Sequence, residues 1–360
     1  MSVCVYPDAP SQRIKAVPFG GQGTQQANDI VQAHDGSYVV AGFSSAEKGN
    51  QRAAWLAGVT ENGNTLWHRL IAPESEGAFT AVTQSPNGDL WMTGESGGNL
   101  WVVKTDARGN NPKKYLLPLP ANAKTVRGNA LAWSADGRYL YIVGRQEMRY
   151  PEFQKALFFV WFDTEGGRFL NDHLVLNAEG NAIVRDRTQH LAIVGTSYET
   201  RKGRILLIYT DSVCDVKWTQ MFGDKATTNE GKSVAEDWAG NFYIGGKFTK
   251  SRGNNARTQG WIHKIKNDGT LLWSNETLLG GQGDDAINAL MVSHRGDVLA
   301  VGDRYKTPKH NSWLTVIPPS VEPPNKSGFK LNIVGGRFHD SADNAILRLN
   351  VNGYYDFWLQ

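Results

Sequence analysis

Asp35-Gly36-Ser37-Tyr38-Val39-Val40-Ala41-Gly42 is the stretch whose reading decides the fold. An Asp-Gly turn leads into an alternating apolar strand, and a glycine ends it. The phrase returns as Asn87-Gly88-Asp89-Leu90-Trp91-Met92-Thr93-Gly94, in Asp136-Gly137 to Gly144, in Gln189-His190 to Gly195 and in Ala239-Gly240 to Gly246. Two further copies are Arg295-Gly296 to Gly302 and Asn352-Gly353-Tyr354-Tyr355-Asp356-Phe357. The second turn position falls at 36, 88, 137, 189, 240, 296 and 353, so the step stays between 49 and 57 residues. Only strand signals fill each step.

A period of about fifty residues made of strands is the mark of a β-propeller. In the first full repeat Ala27 to Ala33 reads as strand A, Ser37 to Gly42 as B, Ala54 to Val59 as C and Thr65 to Leu70 as D. Residues 1–360 then form one all-β domain of seven four-stranded blades, at about 19–71, 73–118, 120–176, 177–222, 223–279, 280–334 and 335–360 plus 1–18. The last unit has only strands A and B, Asn344 to Leu349 and Tyr354 to Leu359. The N-terminus supplies Val3-Cys4-Val5-Tyr6 as C and Arg13 to Phe19 as D. Pairing these closes the ring and removes the sheet edges that invite aggregation.

Bulk properties agree with a packed β protein: 20% charged, 40% hydrophobic, 39 glycines and 12 tryptophans. A net charge of +3 demands neither nucleic acid nor an anionic membrane. No apolar run approaches the roughly 18 residues that span a bilayer. Met1 to Gly21 lacks the features of a leader, so the expected compartment is cytoplasmic, or periplasmic or cell-surface if Met1 replaces a removed leader. Cys4 and Cys214 fall in different repeats and read as small apolar residues, not a disulfide.

The phrase GG-x-G … A-x-x-I … DG-x-Y-V-V-A-G … W-L … NGN-x-x-W resembles the seven-bladed propeller repeats of bacterial surface and periplasmic proteins, and is similar to PQQ-like and WD-type repeats. The resemblance implies the fold. It implies no cofactor, because the acidic metal-binding and catalytic residues of PQQ dehydrogenases have no matching motif here.

Motifs that suggest chemistry sit in the wrong context. Gly94-Glu95-Ser96-Gly97-Gly98 fits G-x-S-x-G, but that elbow needs a strand turning into a helix, and here it joins two strands. Gly231-Lys232-Ser233 ends like a phosphate loop, yet Ala226 stands where the first glycine belongs. The eight histidines show no metal-ligand spacing, so no metal is expected.

Surface charge carries the functional reading. The six B–C loops together hold +9 against +3 for the whole chain. Acidic residues Glu76, Glu179, Glu230, Asp285 and Asp343 lie near the starts of strand A, around the channel mouth. A basic rim around an acidic centre follows. Loop charge is ordinarily solvation, but the third-blade loop, Arg145 to Lys155, presents aromatics among its charges, as interface hot spots do. The expected partner-binding residues are Arg145, Arg149, Tyr150, Phe153, Tyr198, Arg201, Lys202, Lys250, Arg252, Arg257, Arg304, Tyr305 and Lys306. The expected function is non-enzymatic binding of a protein with an acidic patch, by a chain monomeric in itself, as a scaffold, adhesin or toxin inhibitor. The alternative is a carbohydrate-binding or glycan-processing propeller that uses the mouth carboxylates. Nucleic-acid binding is the weakest reading.

Overall fold

The computed structural model describes residues 15–18, 24–45, 52–60, 64–71, 76–149, 155–199, 202–224, 227–250, 257–275, 284–292, 298–306, 309–317, 345–350 and 356–359. These hold no helix and fall into seven antiparallel sheets. Strand β1 (Lys15–Pro18) comes first. The first four-stranded sheet is β2 (Thr24–Gln32), β3 (Tyr38–Ser45), β4 (Arg52–Val59) and β5 (Thr65–Ile71). The second is β6 (Gly77–Gln84), β7 (Leu90–Ser96), β8 (Asn99–Thr105) and β9 (Lys113–Leu116). The third is β10 (Ala123–Trp133), β11 (Tyr139–Met148), β12 (Lys155–Asp163) and β13 (Arg168–Leu176). The fourth is β14 (Ala178–Arg185), β15 (Leu191–Ser197), β16 (Arg204–Thr210) and β17 (Val216–Phe222). The fifth is β18 (Thr228–Glu236), β19 (Phe242–Lys250), β20 (Arg257–Ile265) and β21 (Leu271–Asn275). Strands β22 (Asp284–Val292), β23 (Val298–Lys306) and β24 (Lys309–Ile317) make the sixth; its expected fourth strand, Lys330 to Val334, lies outside the described residues.

The seventh sheet joins the two ends of the chain, though not in the expected order. β1 bonds directly to β25 (Ala345–Asn350), from Lys15↔Arg348 to Pro18↔Ala345, and β26 (Asp356–Leu359) lies on the other side of β25. The expected arrangement put Arg13 to Phe19 outermost, beyond a strand C at Val3 to Tyr6 that lies outside the described residues. An edge place still suits β1, because Pro18 has no N–H to give a second neighbour.

Within the first five sheets the middle strands are mostly buried, and the fourth strand meets solvent. β15 is buried at every position, while β17 is mostly exposed. Core residues pack between consecutive sheets. Val39, Ala41 and Leu56 of the first meet Phe79, Met92 and Trp101 of the second, and the same pattern joins the second to third, third to fourth, fourth to fifth and fifth to sixth. Trp101 and Trp261, in the third strands of their sheets, lie in these seams, and Trp101 stacks on Phe79 with centroids 5.1 Å apart. Burying one such ring contributes about 2–3 kcal/mol.

The turn chemistry follows the sequence. Gly36 has φ +83°, and Asp35 Oδ1 accepts from Ser37 N at 3.0 Å. The fourth turn lacks the glycine, and Gln189 takes φ +68° in its place. Asp186 holds that turn together, accepting from Thr188 N, His190 N and the Tyr209 hydroxyl, while His190 stacks on Tyr209. Gln189→Gly is therefore expected to raise the unfolding free energy by about 0.5–1 kcal/mol, since a side chain in this region carries a steric cost. A denaturation midpoint that does not rise would place the cost elsewhere. Cys214 likewise has φ +72°; its thiol is free, accepts from Trp161 Nε1 at 2.9 Å, and burial pushes its pKa up to about 12.

Candidate functional site

The site is built from one irregularity repeated around the molecule. The first strand of each of the first six sheets carries an extra residue: Asn28 in β2, Thr80 in β6, Asn129 in β10, Asn181 in β14, Lys232 in β18 and Asn288 in β22. Such a bulge bends the strand and re-aims one side chain. Its partner on the second strand is always the glycine that ends the sequence phrase, in the pairs Ala27↔Gly42, Phe79↔Gly94, Gly128↔Gly144, Gly180↔Gly195, Gly231↔Gly246 and Ile287↔Gly302. The bulge drives a carbonyl against that glycine, so that a β-carbon at Gly195 would stand 1.9 Å from Glu179 O.

The re-aimed side chains form a belt. Asn28 Nδ2 donates to Phe79 O at 2.6 Å, Thr80 Oγ1 to Gly128 O at 2.5 Å, Asn129 Nδ2 to Gly180 O at 2.7 Å and Asn181 Nδ2 to Gly231 O at 2.7 Å. Every acceptor is the carbonyl just before the next sheet's bulge residue. Lys232 breaks the series, because its Nζ turns to Glu230 Oε2 at 3.0 Å.

A second set of bonds runs beside the belt. Asp29 Oδ2 accepts from Val82 N of the next sheet at 2.8 Å, and Ser233 Oγ accepts from Leu290 N at 2.9 Å. Burial raises the Asp29 pKa to about 6, against backbone N–H donors that favour the anion. An acid raised in the folded state holds its proton there between pH 3.8 and about 6, so stability is lost as pH rises through that window. Asp29 keeps some surface open to solvent, which trims the effect to about 1–2 kcal/mol. Asp29→Ser keeps an acceptor for Val82 N without the titration. Urea unfolding at pH 4 and 6.5 is expected to show the wild type losing that much more than the variant. Parallel losses would remove Asp29 as the cause.

Beyond the belt lies a cavity of about 400 Å³. Asn28, Thr80, Asn129 and Asn181 line it together with Arg52, Glu76, Glu95, Arg127 and Lys232. Of the expected mouth carboxylates Glu76 alone lines this cavity, and Glu76, Glu179 and Glu230, whose side chains are described, each sit beside a cation. Glu76 takes Arg52 Nε at 2.7 Å, and Glu230 takes Lys232 at 3.0 Å and Lys247 at 3.3 Å. Glu179 takes Lys155 at 3.4 Å and Arg145 at 3.9 Å. Burial works to raise the Glu230 pKa, but Lys232 and Lys247 outweigh it and hold the carboxyl below its usual range. Burial and then Glu179 push the Tyr198 phenol up, while Lys155 Nζ lies 4.9 Å above its ring. These carboxylates thus sit in a mesh of opposite charges where sequence suggested an acidic centre. Lys232 shares β18 with Glu230, but the other ion partners come from neighbouring strands, which loop-by-loop counting does not see.

The expected rim residues divide. Arg145 and Tyr198 join Glu179 in the mouth cluster, and Arg149 Nε donates to Ala123 O at 2.9 Å. Lys202 lies on the approach to β16. Several positions expected in loops are strand residues: Arg145 in β11, Lys250 in β19, Arg257 in β20, and Arg304, Tyr305 and Lys306 in β23. Hairpin pairing continues past the glycine, Lys250↔Arg257 and Lys306↔Lys309 among the pairs, because it satisfies backbone groups that a loop would leave to water. Tyr150, Phe153, Arg201, Arg252 and Asp343 lie outside the described residues, as does the side chain of Asp285. Gly94 to Gly98 is a strand-to-strand hairpin with Gly97 and Gly98 at positive φ, so Ser96 sits on no nucleophile elbow.

Sequence reading missed Arg127 and the belt. The belt's signal was present as Asn129-Ala130-Leu131, Asn181-Ala182-Ile183, Asn288-Ala289-Leu290 and Asn344-Ala345-Ile346, recurring in step with the turns.

No protein-family model matches the chain, and no curated protein matches it. Among solved structures the chain is similar to Sqt1 from Chaetomium thermophilum, with 12% identity, 85% of this chain and 75% of that one covered, and a TM-score of 0.50. It is similar to U3-55K at 10% identity, with 85% of each chain covered and a TM-score of 0.50. The Dos1 propeller matches at 12% identity over 93% of this chain and 81% of that one, with a TM-score of 0.48. Identities this low speak for architecture alone, and the architecture is that of a β-propeller.

Proposed function

We propose that the chain is a closed seven-bladed propeller, its last blade shared between the two ends, that binds a protein partner without catalysing a reaction. The binding face is the one on which the cavity and the second-to-third-strand hairpins open, and the partner presents an acidic patch to the basic rim. The observation that carries this reading is the convergence of Arg145, Lys155 and Tyr198 on Glu179 beside the cavity. Arginine and tyrosine fixed in such a mesh are what interface hot spots consist of. The pairing of Glu76, Glu179 and Glu230 with cations also supports binding over glycan processing. A carboxylate held ionised by two lysines, as Glu230 is, makes a poor general acid.

The test is capture of partners from the source cell by the immobilised full chain, compared with a Tyr150→Ala, Arg252→Glu, Arg257→Glu triple variant. A partner captured by the wild type should be reduced at least tenfold on the variant and unaffected by Asp136→Asn on an A–B turn. Undiminished capture by the triple variant would put the interface elsewhere.

A further inference from the structure

Arg127 differs from the other cations of the mouth. Arg52, Arg145, Lys155, Lys232 and Lys247 each lie within 4.0 Å of a carboxylate oxygen. Arg127 has no ion pair among the described residues. Among the described residues its one side-chain hydrogen bond runs from Nε to Asn129 Oδ1 at 2.8 Å, and none of them takes a hydrogen bond from the two terminal nitrogens of the fork. Asn129 is in turn fixed by its bond to Gly180 O at 2.7 Å. The belt therefore holds Arg127 by its neck and leaves its fork at the cavity wall.

The charges around the cavity say what the fork would take. Counted with Glu230 and Lys247, which pair with the lining's Lys232, the cations Arg52, Arg127, Lys232 and Lys247 stand against Glu76, Glu95 and Glu230, one positive charge in excess. Burial and the like charges of Arg145 and Arg52 weigh against the protonated guanidinium, and Glu95 and Glu179 offset them only in part. A single negative charge matches this balance; a dianion would face Glu76 and Glu95 with no cation left to answer them. A planar fork with two parallel donors fits the two oxygens of a carboxylate. A cavity of about 400 Å³ is near the small end of ligand sites, with room for a few carbons behind that group.

We propose that this cavity is a carboxylate site, in which the Arg127 fork takes both oxygens of one carboxylate from a small acid or from an acidic side chain of the partner. The second source rests on the protein-binding reading of this face; the first does not.

Calorimetric titration of the full chain tests it, using 4-acetamidobutyrate as the free carboxylate and acetyl-Gly-Glu-Gly-amide as the peptide-borne one. Acetyl-Gly-Gln-Gly-amide and inorganic phosphate serve as comparisons. At least one carboxylate probe is expected to bind in preference to both comparisons, and the tighter of the two identifies the source. Arg127→Gln and Arg127→Lys, the latter keeping charge without the fork, should each weaken that binding at least tenfold. Glu95→Gln should tighten it about threefold, a gain that no loss of folding can imitate. The triple rim variant should bind the probe as the wild type does, whatever its result in partner capture. Binding of neither carboxylate, equal binding by the Arg127 variants, no gain in Glu95→Gln, or tighter binding of phosphate would each overturn the proposal.

Discussion

Gly195→Ala is expected to lower the unfolding free energy by at least about 3 kcal/mol, or to leave the protein insoluble. The added carbon would stand 1.9 Å from Glu179 O and 2.9 Å from Glu179 C, both backbone atoms. No rotamer relieves that overlap. Gly195 lies in β15, where every residue is buried, so the strand has no free side toward which to move. Pushing Glu179 O away would undo the bulge at Asn181 and its bond to Gly231 O. Gly240→Ala is the matched control. That glycine has φ +79°, but its new carbon meets only Glu236 Oε1, at 3.9 Å. Its cost is the conformational one, about 1 kcal/mol. Equal urea midpoints for the two variants would show that the bulge yields easily, and the steric account would fail. Domains of this kind carry about 5–15 kcal/mol in all, so the Gly195 change alone removes a large share.

The second large effect is expected from Asn129→Ala combined with Asn181→Ala. Each substitution leaves a strand carbonyl, Gly180 O or Gly231 O, without its side-chain donor. An orphaned polar group of this sort costs about 1–3 kcal/mol, so the double variant should lose about 2–6 kcal/mol. Thr80 does the same work with a hydroxyl, 2.5 Å from Gly128 O. Asn181→Thr should accordingly keep more than half of what Asn181→Ala loses. Thermal and denaturant unfolding of the four proteins decide this. If Asn181→Thr fares no better than Asn181→Ala, the belt bonds are not what holds these joints.

Residues that act locally were legible in the sequence. Gly36, Gly88, Gly137 and Gly240 all adopt the positive φ that an Asp-Gly or similar turn requires, and the strands between them fell close to their expected bounds. The fourth turn was legible as an exception, although the Asp186 network that replaces the glycine was not. Asp186 works through Tyr209, 23 residues on. The glycine ending each phrase was visible as a repeat, but its reason lies in a carbonyl of the preceding strand. A bulge adds one residue and leaves no change in composition. The mouth showed the same limit. Glu179 and Glu230 were placed correctly near the starts of their strands, whereas their cations come from neighbouring positions in space. Arg127 looked like any other strand arginine, because its distinction is a partner it lacks.

The belt bonds run from side chain to main chain. The carbonyls that receive them are present whatever residue occupies each position, so the first five sheets are joined without calling on the charged groups near them. Arg145, Lys155 or Tyr198 can be exchanged while the floor stays put. Descendants of such a chain could exchange those few side chains and inherit the joints between sheets intact.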